Sequence, residues 1–115
     1  ISKVQAIVGD VLNVKPILEV NREGQIVPRE KVRGRRRALK RLLEIMAEEG
    51  RELYKQLITI GYSRCEEEAN SFAEEVKKLY NVKKIRIGEI SSTVGTHTGP
   101  GCLVVFFQGE SSLGS

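Results

Sequence analysis

The sequence has little of several residue types that specialised sites require. Tryptophan is absent, aromatic residues make up 5% of the 115 residues, and His97 is the only histidine. The two cysteines, Cys65 and Cys102, form no C-x-x-C pair, so the chain holds no Cys/His set for a tetrahedral zinc site. The composition therefore argues against a structural metal. The core has to be aliphatic, and aliphatic residues can line an apolar cavity as readily as fill one.

Long apolar runs are also missing. The longest, Leu103 to Phe107, has the length of a buried strand and falls far short of the roughly 18 residues of a membrane span. No charged-then-apolar signal segment opens the chain, and its first residue, Ile1, is not Met, which indicates a piece of a longer protein. Two cysteines in a chain with enough core to do without a bridge favour a reducing, cytoplasmic setting.

The positive charge is concentrated in one segment, Arg29 to Arg41, which we call the basic segment. It holds eight basic residues and one acid, a local net charge of +7 in a chain whose total is +4. Three interpretations are open: a solvated face, a docking surface for an acidic protein or a phosphorylated ligand, and a nucleic-acid-binding surface. Nucleic acid is the least favoured, because no aromatic residues are interleaved with the arginines.

The spacing of apolar residues predicts an α+β fold, with a mixed, mainly antiparallel sheet packed against amphipathic helices. The turn residues around Gly24 predict a hairpin, and Pro16 restricts the first hairpin strand to a sheet edge or a strand start. Ser63 and Glu66 resemble a capping box. One domain is expected over 1–109, followed by a flexible tail or cloning remnant over 110–115. The predicted elements are a helix over 3–12, strands over 17–20 and 26–28, a helix over 34–49, a strand over 53–61, a helix over 65–80, and strands over 83–90 and 102–107.

The candidate site lies in the segment from Thr93 to Gly101, where His97 stands between two threonines and among several glycines. Backbone N–H groups, hydroxyls and an imidazole together suit an anionic group, although a simple Gly-Pro turn explains the same residues. The spacing matches neither a phosphate-binding loop nor a nucleophile elbow. A Cys102/His97 nucleophile is remote, because a thiol at the start of an apolar strand is usually buried and inert.

Four strings in order resemble the carboxy-terminal domain of the DegV family of bacterial fatty-acid-binding proteins. They are Leu12-Asn-Val-Lys-Pro-Ile-Leu18, Gly24-Gln-Ile-Val-Pro28, Lys31-Val-Arg-Gly34 and Gly95-Thr-His-Thr-Gly-Pro-Gly101, followed by an apolar strand. The resemblance implies a carrier that buries a long-chain fatty acid and, in some members, presents its carboxylate to a fatty acid kinase. It implies no cofactor and no chemistry of the carrier's own.

The resemblance also assigns residues. His97 matches the family histidine in the hydrogen-bond network around the bound carboxylate, with Thr96, Thr98 and Gly99 shaping that site. Arg33, with Arg35 and Arg36, falls in the region that resembles the kinase-docking patch. The amino-terminal domain of the family, which supplies further hydroxyls to the carboxylate, is missing from this chain. Candidates for the tail tunnel, which core packing explains equally well, are Ile17, Leu39, Leu42, Ile58 and Phe106.

Overall fold

Strands dominate the architecture of the computed structural model, which describes residues 2–7, 14–21, 23–90 and 101–109. These residues form one mixed sheet of six strands: β1 (Ser2–Ile7), β2 (Val14–Val20), β3 (Ile26–Arg33), β4 (Leu57–Tyr62), β5 (Lys84–Glu89) and β6 (Leu103–Gln108). The order across the sheet is β3-β2-β1-β6-β4-β5. β4 and β5 are parallel, and the other neighbouring strands are antiparallel.

Two helices pack on one side of this sheet, which we call the helix face. α1 (Arg35–Glu49) lies against β1, β2 and β3, and α2 (Glu66–Tyr80) lies against β4 and β5. Alternate strand residues meet the apolar stripes of the helices and form the core with them. The predicted fold class is confirmed. The largest fully buried side chains of this core include Ile17, Leu42, Ile45, Met46, Ile58, Ile60 and Leu103.

The first predicted element is wrong in type. Residues 3–7 belong to strand β1, not to a helix, and the rest of the predicted helix, 8–12, lies outside the described residues. Apolar residues three and four apart mimic a helix, but a short apolar run does not distinguish the two structures. β1 pairs with β2 on one side and β6 on the other, and this backbone pairing outweighs the local spacing.

The predicted hairpin is confirmed, and its turn uses Gly24 at a φ of 81°. The expectation that Pro16 marks an edge or a strand start is wrong. β2 lies between β1 and β3, and Pro16 is its third residue, opposite Lys31 of β3.

Two further boundaries differ from the prediction. Leu53–Lys55 forms a short 3-10 helix, and strand β4 begins only at Leu57. Ser63 and Glu66 form no capping box, because the residue that precedes α2 is Cys65 and no side chain caps the helix. Three glutamates in the first turn instead complement the helix dipole. Among the described residues, no helix is long and apolar enough to cross a membrane.

Candidate functional site

The four residues predicted to hold the carboxylate, Thr96, His97, Thr98 and Gly99, lie outside the described residues. The residues on both sides of 91–100 are described, and they converge on the carboxyl end of β4. The Ile90 N–H donates to the Tyr62 carbonyl at 2.7 Å, and the Gly101 N–H donates to the Ser63 carbonyl at 2.6 Å. Ile90 and Gly101, the residues that flank 91–100, therefore lie close to the same point, where β4 ends and the chain turns into α2. We call 91–100 the histidine segment.

An open depression of about 570 Å³ lies at this same end of the sheet. Its lining carries several carboxylates, from Glu66, Glu67 and Glu68 at the start of α2 and from Glu89 at the end of β5. Lost hydration and the nearby Glu66 carboxylate raise the pKa of the Tyr62 phenol, which also lines it. Four carboxylates against one lining arginine, Arg64, disfavour a further anion, so the depression itself does not suit a fatty acid carboxylate.

Neither cysteine has the environment of a nucleophile. Cys102 is fully buried, and Cys65 is half-buried with its thiol donating to the Cys102 carbonyl at 3.4 Å. Burial raises the pKa of the Cys65 thiol, which keeps it protonated and unreactive. These environments give no support to the remote Cys102/His97 hydrolase.

Three arginines of the basic segment, Arg29, Arg35 and Arg41, form ion pairs with glutamates of other elements. Arg41 donates from Nε to Glu30 at 2.8 Å and from Nη1 to Glu48 at 3.0 Å. The hydrogen bonds to Glu30 and Glu48 raise the pKa of Arg41, and the bond from Arg41 lowers that of Glu30. Arg29 pairs with Glu49, and that hydrogen bond raises the pKa of Arg29. These pairs join the β3 edge of the sheet to α1.

Arg35 is the third bound arginine. Its guanidinium donates to both carboxylate oxygens of Glu68. Nε lies 3.1 Å from Oε1 and 3.0 Å from Oε2, and Nη2 lies 2.8 Å from Oε1. This two-pronged bond joins the first turns of α1 and α2. Glu68 lies 33 residues along the chain, and no spacing rule in the sequence could have identified it as the partner.

The rest of the basic segment is exposed. Arg33 on β3 and Arg36 on α1 reach solvent, as do Lys31, Arg37 and Lys40. None of these five forms an ion pair with an acidic side chain in the described ranges. The free charge is therefore smaller than the sequence indicates, and it is concentrated where β3 runs into α1.

The five tail-tunnel candidates do not lie together. Ile17, Leu42 and Ile58 are fully buried in the core of the helix face. Leu39 lines an open groove of about 310 Å³ between α1 and α2. Phe106 is 45% exposed and points away from the helices, because its strand neighbours Val105 and Phe107 belong to the core. We call the side of the sheet that carries Phe106 the opposite face.

Comparison with known proteins gives one consistent result. The family model described as "Uncharacterised protein, DegV family COG1307" matches residues 1–110. A DegV domain-containing protein of Clostridium perfringens is 38% identical over 110 residues, which are 96% of this chain and 38% of that protein. The chain thus spans about two fifths of the length of the curated relatives it matches.

Solved structures share the fold. A fatty acid binding DegV family protein of Streptococcus agalactiae aligns with a TM-score of 0.79 and 26% identity, covering 96% of this chain and 45% of that one. The Fatty Acid Kinase (Fak) B3 protein of Streptococcus pneumoniae, loaded with linoleic acid, aligns at 0.81 with 12% identity, covering 95% and 45%. Neither these neighbours nor the relative above supports the nucleic-acid alternative.

Proposed function

The chain belongs to the DegV family, and on that premise we propose that it is the lipid-binding carboxy-terminal domain of a two-domain fatty-acid carrier. The observation that carries the proposal is the match to the Streptococcus agalactiae protein, which is described as fatty acid binding and shares the fold over 96% of this chain. The aliphatic composition agrees, since a hydrocarbon tail needs an apolar surface with few polar groups. We place the carrier in the cytoplasm, in line with two cysteines that form no disulfide.

The proposed carboxylate site is the histidine segment, with His97 as hydrogen-bond donor and Thr96, Thr98 and Gly99 around it. The flanks at Ile90 and Gly101 support this choice, because both are hydrogen-bonded at the carboxyl end of β4. The remaining hydroxyls would come from an amino-terminal domain, which would account for the greater length of the relatives. The chain alone would then hold the tail but only part of the carboxylate site.

Lipid extraction tests the proposal directly. The full-length protein is purified, extracted with organic solvent and analysed by mass spectrometry, and stripped protein is then offered hexadecanoic acid. We expect about one long-chain fatty acid per protein molecule before stripping and uptake of the added acid afterwards. A protein that carries no fatty acid and takes up none would contradict the proposal.

A second part of the proposal concerns the partner. The carrier presents the bound carboxylate to a fatty acid kinase, and the exposed cations Arg33 and Arg36 dock that kinase. Two observations support this role. Both side chains are exposed and form no ion pair among the described residues, and one solved neighbour is described as a Fatty Acid Kinase (Fak) B3 protein. Arg35, the third residue of this patch, is bound to Glu68 and would help to shape the patch through that bond.

Charge reversal tests the docking residues. Arg33→Glu and Arg36→Glu are compared with Arg51→Glu, a matched change at an exposed arginine beyond the far end of α1. We expect the first two to weaken kinase binding by about tenfold, the effect of one or two lost interfacial charge pairs, with thermal stability unchanged. Equal binding by all three variants would remove the docking role.

His97→Ala tests the carboxylate site. The kinase reaction should slow markedly, because the acid loses a donor that orients its carboxylate, while the melting temperature should change little. The melting curve provides the control for folding. Unchanged kinase turnover with the variant would contradict the role of His97.

A further inference from the structure

Stability alone does not explain the ion pair between Arg35 and Glu68. Their side chains are 21% and 41% exposed, and an ion pair in contact with water stabilises a fold by little, because solvent screens it. Holding two long side chains in one geometry also costs rotamer entropy. What the pair supplies is direction, since an arginine that donates to both oxygens of a carboxylate fixes the relative orientation of the two groups.

Close packing does not replace this ion pair where the two helices begin. An open groove of about 310 Å³ lies between α1 and the first half of α2, and Leu39, Glu68 and Phe72 are among its lining residues. Farther along the helices, the Tyr80 hydroxyl donates to the Leu43 carbonyl. At the first turns, the bond from Arg35 to Glu68 connects the helices across a surface that packing leaves open.

On its α1 side, the ion pair lies within the proposed docking patch. Arg33 ends β3, Gly34 turns the chain at a φ of 87°, and Arg35 begins α1. Arg36 follows directly, so the two exposed docking cations flank Arg35 in the chain. Holding Arg35 in place therefore fixes the turn on which both docking cations stand.

On its α2 side, the ion pair lies beside the residues that bind one flank of the histidine segment. Burial raises the pKa of the Cys65 thiol, and the charge of the neighbouring Arg35 guanidinium opposes that rise. The Cys65 thiol and the Ser63 N–H donate to the Cys102 carbonyl, at 3.4 and 2.9 Å. The Gly101 N–H donates in turn to the Ser63 carbonyl. Arg35 therefore lies next to the stretch that binds the carboxyl-side flank of the histidine segment.

We propose that Arg35, held by Glu68, is a positioning residue that keeps the docking cations in a fixed place relative to the histidine segment. This inference rests on the proposed function and assigns to one ion pair the link between its two surfaces. In the kinase reaction, a carboxylate oxygen bonds to the terminal phosphorus of a nucleoside triphosphate and the nucleoside diphosphate leaves. The attacking and leaving oxygens have to lie roughly in line, so a docked kinase needs the carboxylate at a fixed distance and angle.

Glu68→Gln and Arg35→Met break the ion pair from either side and leave the docking cations in place. The full-length protein is loaded with hexadecanoic acid, and the kinase rate is measured against carrier concentration to separate kcat from KM. Both variants should lower kcat by about tenfold, because a misaligned carboxylate reacts slowly, and leave KM and the affinity for hexadecanoic acid within about twofold. Glu49→Gln is the matched control, since it removes the ion pair with Arg29 at the far end of α1 and should leave kcat unchanged.

The charge swap that combines Arg35→Glu with Glu68→Arg separates positioning from the loss of either side chain. It restores an ion pair between the first turns and should regain most of the lost kcat, with melting temperatures as the control for folding. Single variants that keep kcat unchanged, or that raise KM alone, would overturn the inference and leave fatty-acid binding standing. A folded swap variant as slow as the single variants would overturn it too. If the unmodified protein binds no hexadecanoic acid, the proposed function itself fails, and the inference with it.

Discussion

The two faces of the sheet are built from the same strands but differ in what their side chains meet. On the helix face, Leu103 and Val105 of β6 are completely buried in the core that the sheet forms with α1 and α2. On the opposite face, Phe106 of the same strand is about half exposed and Gly88 of β5 carries no side chain. Folding accounts for the first arrangement, since close packing stabilises a domain. It accounts for only part of the second, because Val104 of the same strand is 8% exposed on the opposite face while Phe106 is 45% exposed. Close packing therefore explains the whole helix face but not the exposed end of the opposite face.

The largest expected effect on stability comes from truncating a core side chain of the helix face. Leu42→Ala removes a fully buried side chain and leaves a cavity, which should lower the free energy of unfolding by about 2–5 kcal/mol. Urea unfolding measures the loss. Phe106→Ala, a truncation on the opposite face where the side chain is 45% exposed, should cost less, about 1–2 kcal/mol. Equal losses from the two variants would mean that both faces are structural.

Enlarging a core residue should have the next largest effect. Ala38 of α1 is 0% exposed within the core of the helix face. Ala38→Val should overpack that core and lower the free energy of unfolding by about 1–3 kcal/mol. Thermal or urea unfolding would show it. A variant as stable as the unmodified protein would reveal spare volume under α1 and contradict the close packing of the helix face.

The ion pairs beside the helix face predict a pH dependence. The hydrogen bond from Arg41 lowers the pKa of Glu30 from its ordinary value of 4.5. A carboxyl whose pKa is lowered on folding stabilises the fold fully above its unfolded pKa and loses that contribution as the pH falls through its folded pKa. Stability should therefore decline below about pH 5.

Glu30→Gln isolates this contribution. It should lower stability at pH 7 by about 1 kcal/mol and flatten the decline at acid pH, as followed by urea unfolding at several pH values. Glu23→Gln is the control, because Glu23 lies exposed in the hairpin turn without an ion pair among the described residues. A pH profile equally steep with and without Glu30 would assign the decline to other carboxylates.

The smallest effect has the opposite sign. Gly88→Val places a β-branched residue in a strand where no described atom obstructs it, which should raise the free energy of unfolding by up to about 1 kcal/mol. Calorimetry of the full-length protein without fatty acid measures the gain. A gain would show that glycine at this position costs the fold, whereas a destabilised variant would show that Gly88 serves it.

The sequence predicted the parts of the fold that local patterns determine. The helix that became α1 has a long 3.6-residue pattern ended by Gly50, and the hairpin has a glycine turn, so both were predicted correctly. β1 was mistaken for a helix because its identity depends on pairing with β6, about a hundred residues along the chain. The position of a strand in a sheet is a property of the whole fold.

The candidate site was predicted unevenly for the same reason. The basic segment was evident from composition, but the ion pair between Arg35 and Glu68 depends on α1 and α2 meeting in space. Residues 96–99 remain predictions of the resemblance, because they lie outside the described residues.

The most direct test of the account is the electron density of a crystal of the full-length protein grown with hexadecanoic acid. The account predicts an elongated ligand whose carboxylate lies beside His97. A crystal without such a ligand, or with its carboxylate far from His97, would contradict it.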